Sequence, residues 1–187
     1  MTKASAPIVG FCAWSGTGKT TLLTQLIPIL VAQDLRVAVV KHAHHDFDID
    51  HPGKDSFELR KAGASQMLIT SRKRLAVITE FEEHRPEPSL SDALERLNRQ
   101  EFDLVLVEGF KHEPYKKIEL HRSALKKPLM FPDDPNIIAL ASDQPIIENS
   151  NMLPQLDLND PQQIAQFILD NILATESAVT TPGACLP

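Results

Sequence analysis

The 187-residue chain has few cysteines, few aromatic residues and no excess of positive charge. Its two cysteines, Cys12 and Cys185, lie far apart, which argues against a disulfide framework and fits a reducing cytoplasm. The net charge of −6 argues against nucleic acid as a partner, because proteins that bind nucleic acid carry a basic surface. Aromatic residues make up only 5% of the chain, so the core must be mainly aliphatic.

Long hydrophobic runs are also missing. No apolar run approaches the ~18 residues that a membrane-spanning helix needs, and the first residues, MTKASAP, do not have the pattern of a signal peptide. We therefore predict a cytoplasmic protein that has no membrane partner.

Short apolar runs alternate with helical patterns instead. Four runs are apolar almost throughout, which is typical of buried strands: residues 8–13, 35–41, 103–109 and 137–141. Between the first two, leucines at helical spacing predict a helix from Thr20 to about Gln33, which Pro28 should kink or shorten. Buried strands that alternate with helices indicate a mostly parallel sheet with helices on both faces.

Two further patterns extend this α/β fold. QMLIT and LAVIT (66–70 and 75–79) predict a β-hairpin or antiparallel extension joined by the basic turn SRKR, and KIELH (117–121) alternates as a half-exposed strand does. Since no linker interrupts the chain, we predict a single domain over residues 1–174 and a mobile tail over residues 175–187.

The strongest functional signal is AWSGTGKTT (13–21), which matches the phosphate-loop pattern G-x-x-x-x-G-K-[ST] with Ala13 at the first glycine position. Gly16 and Gly18 allow backbone conformations that turn several amide groups toward one point, where phosphate oxygens bind. Lys19 is expected to bridge the terminal phosphates, and Thr20 offers a hydroxyl to magnesium. The predicted nucleotide ligands are Ser15, Gly16, Thr17, Gly18, Lys19, Thr20 and Thr21.

A carboxylate ends the apolar run DLVLVEG. Glu108 lies at the carboxyl end of this predicted strand, where open parallel sheets bind ligands, whereas Asp103 lies at the other end. Glu108 is therefore predicted to complete the magnesium site and to act with Lys19 in catalysis. The alternative is a strand-end acid in solvent.

Asp143 follows the last apolar run, in ALASD. A carboxylate there can accept hydrogen bonds from N1 and N2 of guanine, a pair of donors that adenine lacks. We predict that Asp143 selects guanine, although the chain has no Asn-Lys-x-Asp element. The alternative is an aspartate that forms a turn after the strand.

The stretch KHAHHDFDIDHPGKDS (41–56) allows three interpretations. Asp46 and Asp48 could face a magnesium-bound nucleotide, while Phe47 and Ile49 anchor the segment; this is the interpretation that we favour. A transition-metal site could instead use Asp46 and the histidines at 42, 44 and 45. The third interpretation is a solvated loop or a partner surface. Lys54, Asp55 and Arg60 could extend a second anion site or form only a helix cap with exposed charge.

Four segments together resemble one family, the molybdopterin-guanine dinucleotide biosynthesis adaptor proteins. They are AWSGTGKTTLL, KHAHHDFDIDHPGKDS with the following ELRKAGA, LVEGFKHEPYKKIEL, and ALASD, in the same order, and the resemblance runs from about residue 8 to 170. The histidine- and aspartate-rich stretch is the family-specific part, since the phosphate loop alone fits many families.

The resemblance implies a three-layer P-loop NTPase fold that binds GTP and Mg²⁺, forms a homodimer and hydrolyses GTP weakly. It implies an accessory role beside the guanylyltransferase that attaches GMP to molybdopterin, with the molybdenum-insertion enzyme and molybdopterin as further partners. Two other functions fit parts of the pattern: an ATP-dependent ligase or kinase of the dethiobiotin-synthetase type, and a metal-insertion GTPase.

One position departs from the broader class of these proteins, which often carry a lysine where this chain has Trp14. That lysine neutralises charge across a dimer as phosphate leaves, and a supplied cation of this kind can be worth about 10³ to 10⁵ in rate. Its absence predicts at most a slow GTPase, unless another cation replaces it; the candidates are Arg60, Arg72, Lys73, Arg74 and Lys111.

Overall fold

The computed structural model describes residues 5–43, 47–81, 86–146 and 153–174. The chain divides into a larger unit, residues 1–42 with 89–187, and a smaller unit, residues 43–88. The predicted mobile tail lies outside the described residues, and a single domain over residues 1–174 stays a prediction.

The larger unit is built on a six-stranded parallel sheet in the order β2-β5-β1-β6-β7-β8. Its strands are β1 (Ile8–Ala13), β2 (Val37–Lys41), β5 (Leu104–Glu108), β6 (Lys117–His121), β7 (Ile137–Ser142) and β8 (Gln155–Asp157). Its helices are α1 (Lys19–Val31), α3 (Leu90–Glu95) and α4 (Pro161–Ile168), the last continued by a π-helical turn, Leu169–Leu173. The predicted α/β fold with a mostly parallel sheet is confirmed.

Both faces of the central strand β5 are buried, as its continuous apolar pattern predicts. Leu104 and Leu106 pack in one cluster with leucines of α1 and isoleucines of α4, while Val105 and Val107 pack with Leu90 of α3. Because side chains alternate along a strand, this places helices on opposite faces of the sheet. Together with the sheet between them, the helices form three layers.

Helix α1 begins at Lys19, directly after Gly18, and ends at Val31. Pro28 lies on its exposed side, so the backbone carbonyl that loses its partner can bond to water. The helix therefore continues for three residues beyond Pro28 and stops two residues before the predicted end.

Strand β6 corrects a prediction, because it is buried rather than half exposed. It lies between β1 and β7, and the polar side chains of Lys117 and Glu119 are fully buried. Lys117 Nζ lies 2.6 Å from Asp134 Oδ2, and the Glu119 carboxylate accepts the N–H groups of Met130 and Phe131 at 2.8 and 2.9 Å. These partners satisfy the charges that burial would otherwise leave unpaired.

Gly10, in the middle of β1, is fixed by a close neighbour. The ring of Tyr115 lies directly against it, in space that any Cβ at position 10 would occupy. The Tyr115 hydroxyl donates to the backbone oxygen of Gly109 at 2.7 Å. Tyr115 thus connects the middle of β1 to the residue that follows β5.

The smaller unit contains helix α2 (Asp55–Lys61) and a two-stranded antiparallel sheet of β3 (Gln66–Thr70) and β4 (Leu75–Thr79), which confirms the predicted hairpin. Leu68 pairs with Val77 and Thr70 with Leu75, so these side chains share one face. Leu68, Leu75 and Val77 are exposed on that face. In neither unit is a described helix both long and apolar enough to cross a membrane.

Candidate nucleotide-binding site

The loop between β1 and α1 has the backbone conformation that its glycines predict. Gly16 and Gly18 have φ angles of 82° and 98°, in the left-handed region where other residues are strained. The N–H and the hydroxyl of buried Thr17 both donate to the backbone oxygen of Trp14, at 3.3 and 2.7 Å. The loop is therefore closed by its own hydrogen bonds. It leads into the first turn of α1, whose N–H groups favour an anion.

Two lysines flank Glu108 at the carboxyl edge of the sheet. Lys19 Nζ lies 4.0 Å from Oε1 and Lys41 Nζ lies 3.4 Å from Oε2. We call Lys19, Lys41 and Glu108 the Glu108 cluster. Lys41 is placed by the sheet itself, because it is in register with Glu108 in the parallel pair of β2 and β5. The cluster carries one positive charge more than it carries negative charge, which favours an anionic ligand.

The backbone around Glu108 is held from the end of β2. The N–H of His42 donates to the Glu108 backbone oxygen at 2.8 Å, and the His42 ring stacks on Phe110 with centroids 4.7 Å apart. Gly109 has a φ angle of 98°, and a Cβ there would meet the Cβ of His42 at 2.6 Å. This packing sets the direction in which Glu108 leaves the strand.

Asp143 is tied to the residues that follow β6. Its Oδ1 accepts the N–H of Ser123 at 2.8 Å, and its Oδ2 lies 3.8 Å from Nη1 of Arg122. The N–H of Ser123, with a contribution from the Arg122 guanidinium, holds the pKa of Asp143 below its ordinary value. Arg122 in turn donates from Nε to the backbone oxygen of Thr17, at 3.2 Å. Guanine recognition by Asp143 stays a prediction.

In the smaller unit, charged residues form a second cluster around Arg60, whose side chain is only 6% exposed. Its Nη2 lies 2.7 Å from Asp48 Oδ1, its Nη1 lies 2.5 Å from Glu80 Oε1, and its Nε lies 3.9 Å from Asp50 Oδ2. We call Arg60, Asp48, Asp50 and Glu80 the Arg60 cluster. Asp48 also accepts the N–H of Asp50 at 3.1 Å.

The predicted site residues fall into three groups. Ser15 to Thr21, Glu108 and, through Arg122, Asp143 come together at one edge of the parallel sheet. Asp48 belongs to the smaller unit, where it pairs with Arg60, so its role as a magnesium ligand stays a prediction. Asp46, His44 and His45 lie outside the described residues. Within the part of the chain that the structure describes, no three metal-ligating side chains form a group that could hold an ion.

Two cations of this site were not predicted. Lys41 ends a strand whose neighbours end at the same edge, so strand order would have indicated it. Arg122 directly follows β6, which pairs with β1. The alternating pattern of KIELH predicts a half-exposed strand, so the sequence did not place Arg122 beside the phosphate loop.

Comparisons with known proteins identify the family of the chain. Residues 8–143 match the family described as "Molybdopterin guanine dinucleotide synthesis protein B". The chain is 46% identical over 169 residues to the molybdopterin-guanine dinucleotide biosynthesis adapter protein of Escherichia coli strain K12, covering 90% of this chain and 94% of the relative. It is 44% identical to the adapter protein of the same name from Haemophilus influenzae, over 87% of each chain.

A solved structure is similar as well. The crystal structure of molybdopterin-guanine biosynthesis protein B superposes with a TM-score of 0.68 at 30% identity. The match covers 87% of this chain and 97% of that one.

Proposed function

The chain belongs to the molybdopterin guanine dinucleotide synthesis protein B family and has its adapter role in the biosynthesis of that cofactor; we propose that it fulfils this role by binding GTP with Mg²⁺. The observation that carries the proposal is the phosphate loop closed by Thr17, with Lys19 beside Glu108. A triphosphate would supply the negative charge that balances the extra lysine of the Glu108 cluster.

Each residue then has a separate task. Backbone N–H groups of the loop and of the first turn of α1 bind phosphate oxygens, and Lys19 leaves its long contact with Glu108 to bridge the terminal phosphates. Thr20, in the first turn of α1, and Glu108 offer oxygen ligands of the kind that magnesium prefers. Bound magnesium would neutralise charge on the phosphates. Hydrolysis is expected to be slow, as the tryptophan at position 14 predicts.

The choice of GTP is supported by the chemistry of the family's product. The family name specifies a guanine dinucleotide, and GTP carries that base in activated form. An adapter has a partner enzyme, and we propose the cytoplasmic guanylyltransferase that joins GMP to molybdopterin. Molybdopterin and the molybdenum-insertion enzyme are further proposed partners.

A homodimer is also part of the proposal. The exposed side chains of Leu68, Leu75 and Val77 on one face of the hairpin would be covered by a second copy of the chain. Light scattering should then give twice the mass of the chain for the wild type and a lower mass for Leu68→Lys. A wild type that is monomeric at every concentration would contradict the dimer.

The nucleotide site is tested by calorimetric titration of GTP and of ATP in the presence of magnesium. We expect GTP to bind more tightly than ATP. Lys19→Ala should weaken GTP binding by at least about 100-fold, because the variant lacks a charge-assisted hydrogen bond, while its melting temperature stays unchanged. If ATP binds as tightly as GTP, the ATP-dependent enzyme becomes the better assignment. If Lys19→Ala keeps full affinity, the phosphate loop is not the site.

A further inference from the structure

Arg122 is a cation at the phosphate loop that lies outside the phosphate-loop motif. It directly follows β6, the neighbour of β1, so it starts from the same edge of the sheet as the loop. Its Nε donates to the Thr17 backbone oxygen at 3.2 Å, and its Nη2 lies 3.7 Å from the position that a Cβ on Gly18 would take. The guanidinium therefore lies along the loop at the two residues that precede α1.

The guanidinium has donors to spare in this position. Arginine has five N–H groups in a fixed planar arrangement, and it matches phosphate oxygens better than lysine does. Thr17 takes the one on Nε, and the side chain of Arg122 is still 35% exposed. The remaining groups lie beside a loop whose amides are arranged for phosphate.

The carboxylate of Asp143 contacts both Arg122 and the residue that follows it. One carboxylate oxygen accepts the N–H of Ser123, and the other lies 3.8 Å from Nη1 of Arg122. The same carboxylate thus holds the backbone that follows Arg122 by a hydrogen bond and attracts the guanidinium by its charge.

Residues 122–128, which we call the bracing segment, are attached to the phosphate loop at a second point. The indole N–H of Trp14 donates to the backbone oxygen of Pro128 at 2.8 Å, and Lys127 Nζ lies 5.5 Å from the centre of the Trp14 ring. Leu125 lies 3.9 Å from the position that a Cβ on Gly16 would take. The bracing segment therefore positions Arg122 before any ligand binds.

We infer that Arg122 positions the nucleotide by donating hydrogen bonds to its phosphates while it holds Thr17, and that Asp143 is the positioning residue for Arg122. This inference rests on the proposed nucleotide binding and adds the residues that orient the phosphates. On this inference, Asp143 affects nucleotide affinity in the same way whichever base the nucleotide carries. A residue that reads guanine would instead affect GTP and xanthosine triphosphate in opposite directions.

The test is calorimetric titration of GTP and xanthosine triphosphate with magnesium, at several salt concentrations. The variants are Arg122→Gln, Arg122→Lys, Asp143→Asn and the double variant Arg122→Gln/Asp143→Asn. Lys116→Gln is the matched control, because Lys116 is an exposed cation at the opposite end of β6. Melting temperatures identify any variant that fails to fold.

We expect Arg122→Gln to weaken GTP binding about tenfold and to reduce its salt dependence, since one fewer cation meets the phosphates. Arg122→Lys should keep the salt dependence and recover part of the affinity, whereas Lys116→Gln should change neither. Asp143→Asn should weaken binding without changing the ratio of GTP to xanthosine triphosphate affinity. The double variant should be no weaker than Arg122→Gln, because Asp143 acts through the arginine.

Three results would overturn the inference or part of it. If Arg122→Gln binds GTP with unchanged affinity and unchanged salt dependence, Arg122 does not contact the phosphates. Reduced affinity with unchanged salt dependence would leave Arg122 only its structural hydrogen bond to Thr17. A shift of Asp143→Asn toward xanthosine triphosphate would make Asp143 the guanine reader. If Lys19→Ala abolishes binding while Arg122→Gln does not weaken it, the inference fails alone; if the wild type binds no nucleotide, the proposed function fails first.

Discussion

The Glu108 cluster and the Arg60 cluster use the same kinds of side chains in opposite proportions. In the first, one carboxylate lies between two ammonium groups at 3.4 and 4.0 Å, and Lys41 is largely exposed. In the second, one buried guanidinium is shared by three carboxylates, two of them within 2.7 Å. The first has a surplus of positive charge and loose contacts, and the second has a surplus of negative charge and close contacts from its guanidinium to Asp48 and Glu80.

This difference separates residues that await a ligand from residues that hold a unit together. In the sequence, Asp48 and Arg60 look as functional as Lys19 and Glu108, because all four are charged residues in or near unusual motifs. In the structure, the Arg60 guanidinium is buried beside three carboxylates, and their negative charge disfavours a further anion. The loosely paired lysines of the Glu108 cluster can exchange their carboxylate partner for phosphate at small cost.

The largest effect on stability is expected at the centre of the Arg60 cluster. Arg60→Met leaves three carboxylates facing one another without their cation, so the melting temperature of the protein should fall by about 5–10 °C. Nucleotide affinity should stay within about twofold of wild type, since no phosphate contact is lost.

Lys61→Met is the matched control for this change, because Lys61 is the exposed neighbour of Arg60 on the same helix. It should melt close to wild type. A normal melting temperature together with reduced nucleotide affinity in Arg60→Met would reverse the comparison and make Arg60 an anion-binding residue.

Removing the central charge of the Glu108 cluster should affect GTP binding and leave the melting temperature nearly unchanged. Glu108→Gln removes the proposed magnesium ligand, so the gain in GTP affinity on adding magnesium should shrink about tenfold. Asp103→Asn, at the other end of β5, is the control and should keep the full magnesium effect. If Glu108→Gln lowers the melting temperature strongly and binds magnesium-GTP normally, the Glu108 cluster is structural and does not serve the ligand.

The smallest effect on the melting temperature is expected from a change of Asp48, at the more exposed side of the Arg60 cluster. The N–H of Asp50, and then Arg60, lower the pKa of Asp48. A carboxyl group whose pKa is lowered on folding stabilises the folded protein at any pH above the ordinary aspartate pKa of about 3.9. This contribution is lost as the pH falls through the lower pKa of the folded protein. Asp48→Asn should therefore melt slightly below wild type at pH 7, and the difference should shrink below about pH 4.

The same variant tests the predicted magnesium role of Asp48. If Asp48→Asn weakens magnesium-dependent GTP binding more than it lowers the melting temperature, the aspartate serves the nucleotide and the Arg60 cluster is not purely structural.

The sequence allowed most of the sheet to be predicted, and the burial of β6 is an exception with a clear physical cause. Strands β1, β5 and β7 are continuous apolar runs, so their burial is encoded locally. Strand β6 is equally buried, but its Lys117 is paired with Asp134, which lies 17 residues further along the chain. Burial that depends on a distant counter-charge cannot be read from alternation within five residues.

The site divides in the same way. The phosphate loop is contiguous, so its glycines, Lys19 and Thr20 could be assigned from spacing alone. The contact between Arg122 and Thr17 joins residues 105 positions apart. Only the parallel pairing of β6 with β1 brings them together, and neither segment encodes that pairing by itself. The edge strand β8 is a separate case, because it has only three residues and no clear pattern.

The contact between Gly10 and Tyr115 has an evolutionary consequence. Because the tyrosine ring occupies the space of a side chain at position 10, neither residue can change size by itself without loss of packing. Relatives that carry a larger residue at position 10 should carry a smaller one at position 115, so the two positions should vary together across the family. Such relatives would also lack the tyrosine hydroxyl that bonds to Gly109, and they would need another donor beside the strand that ends in Glu108.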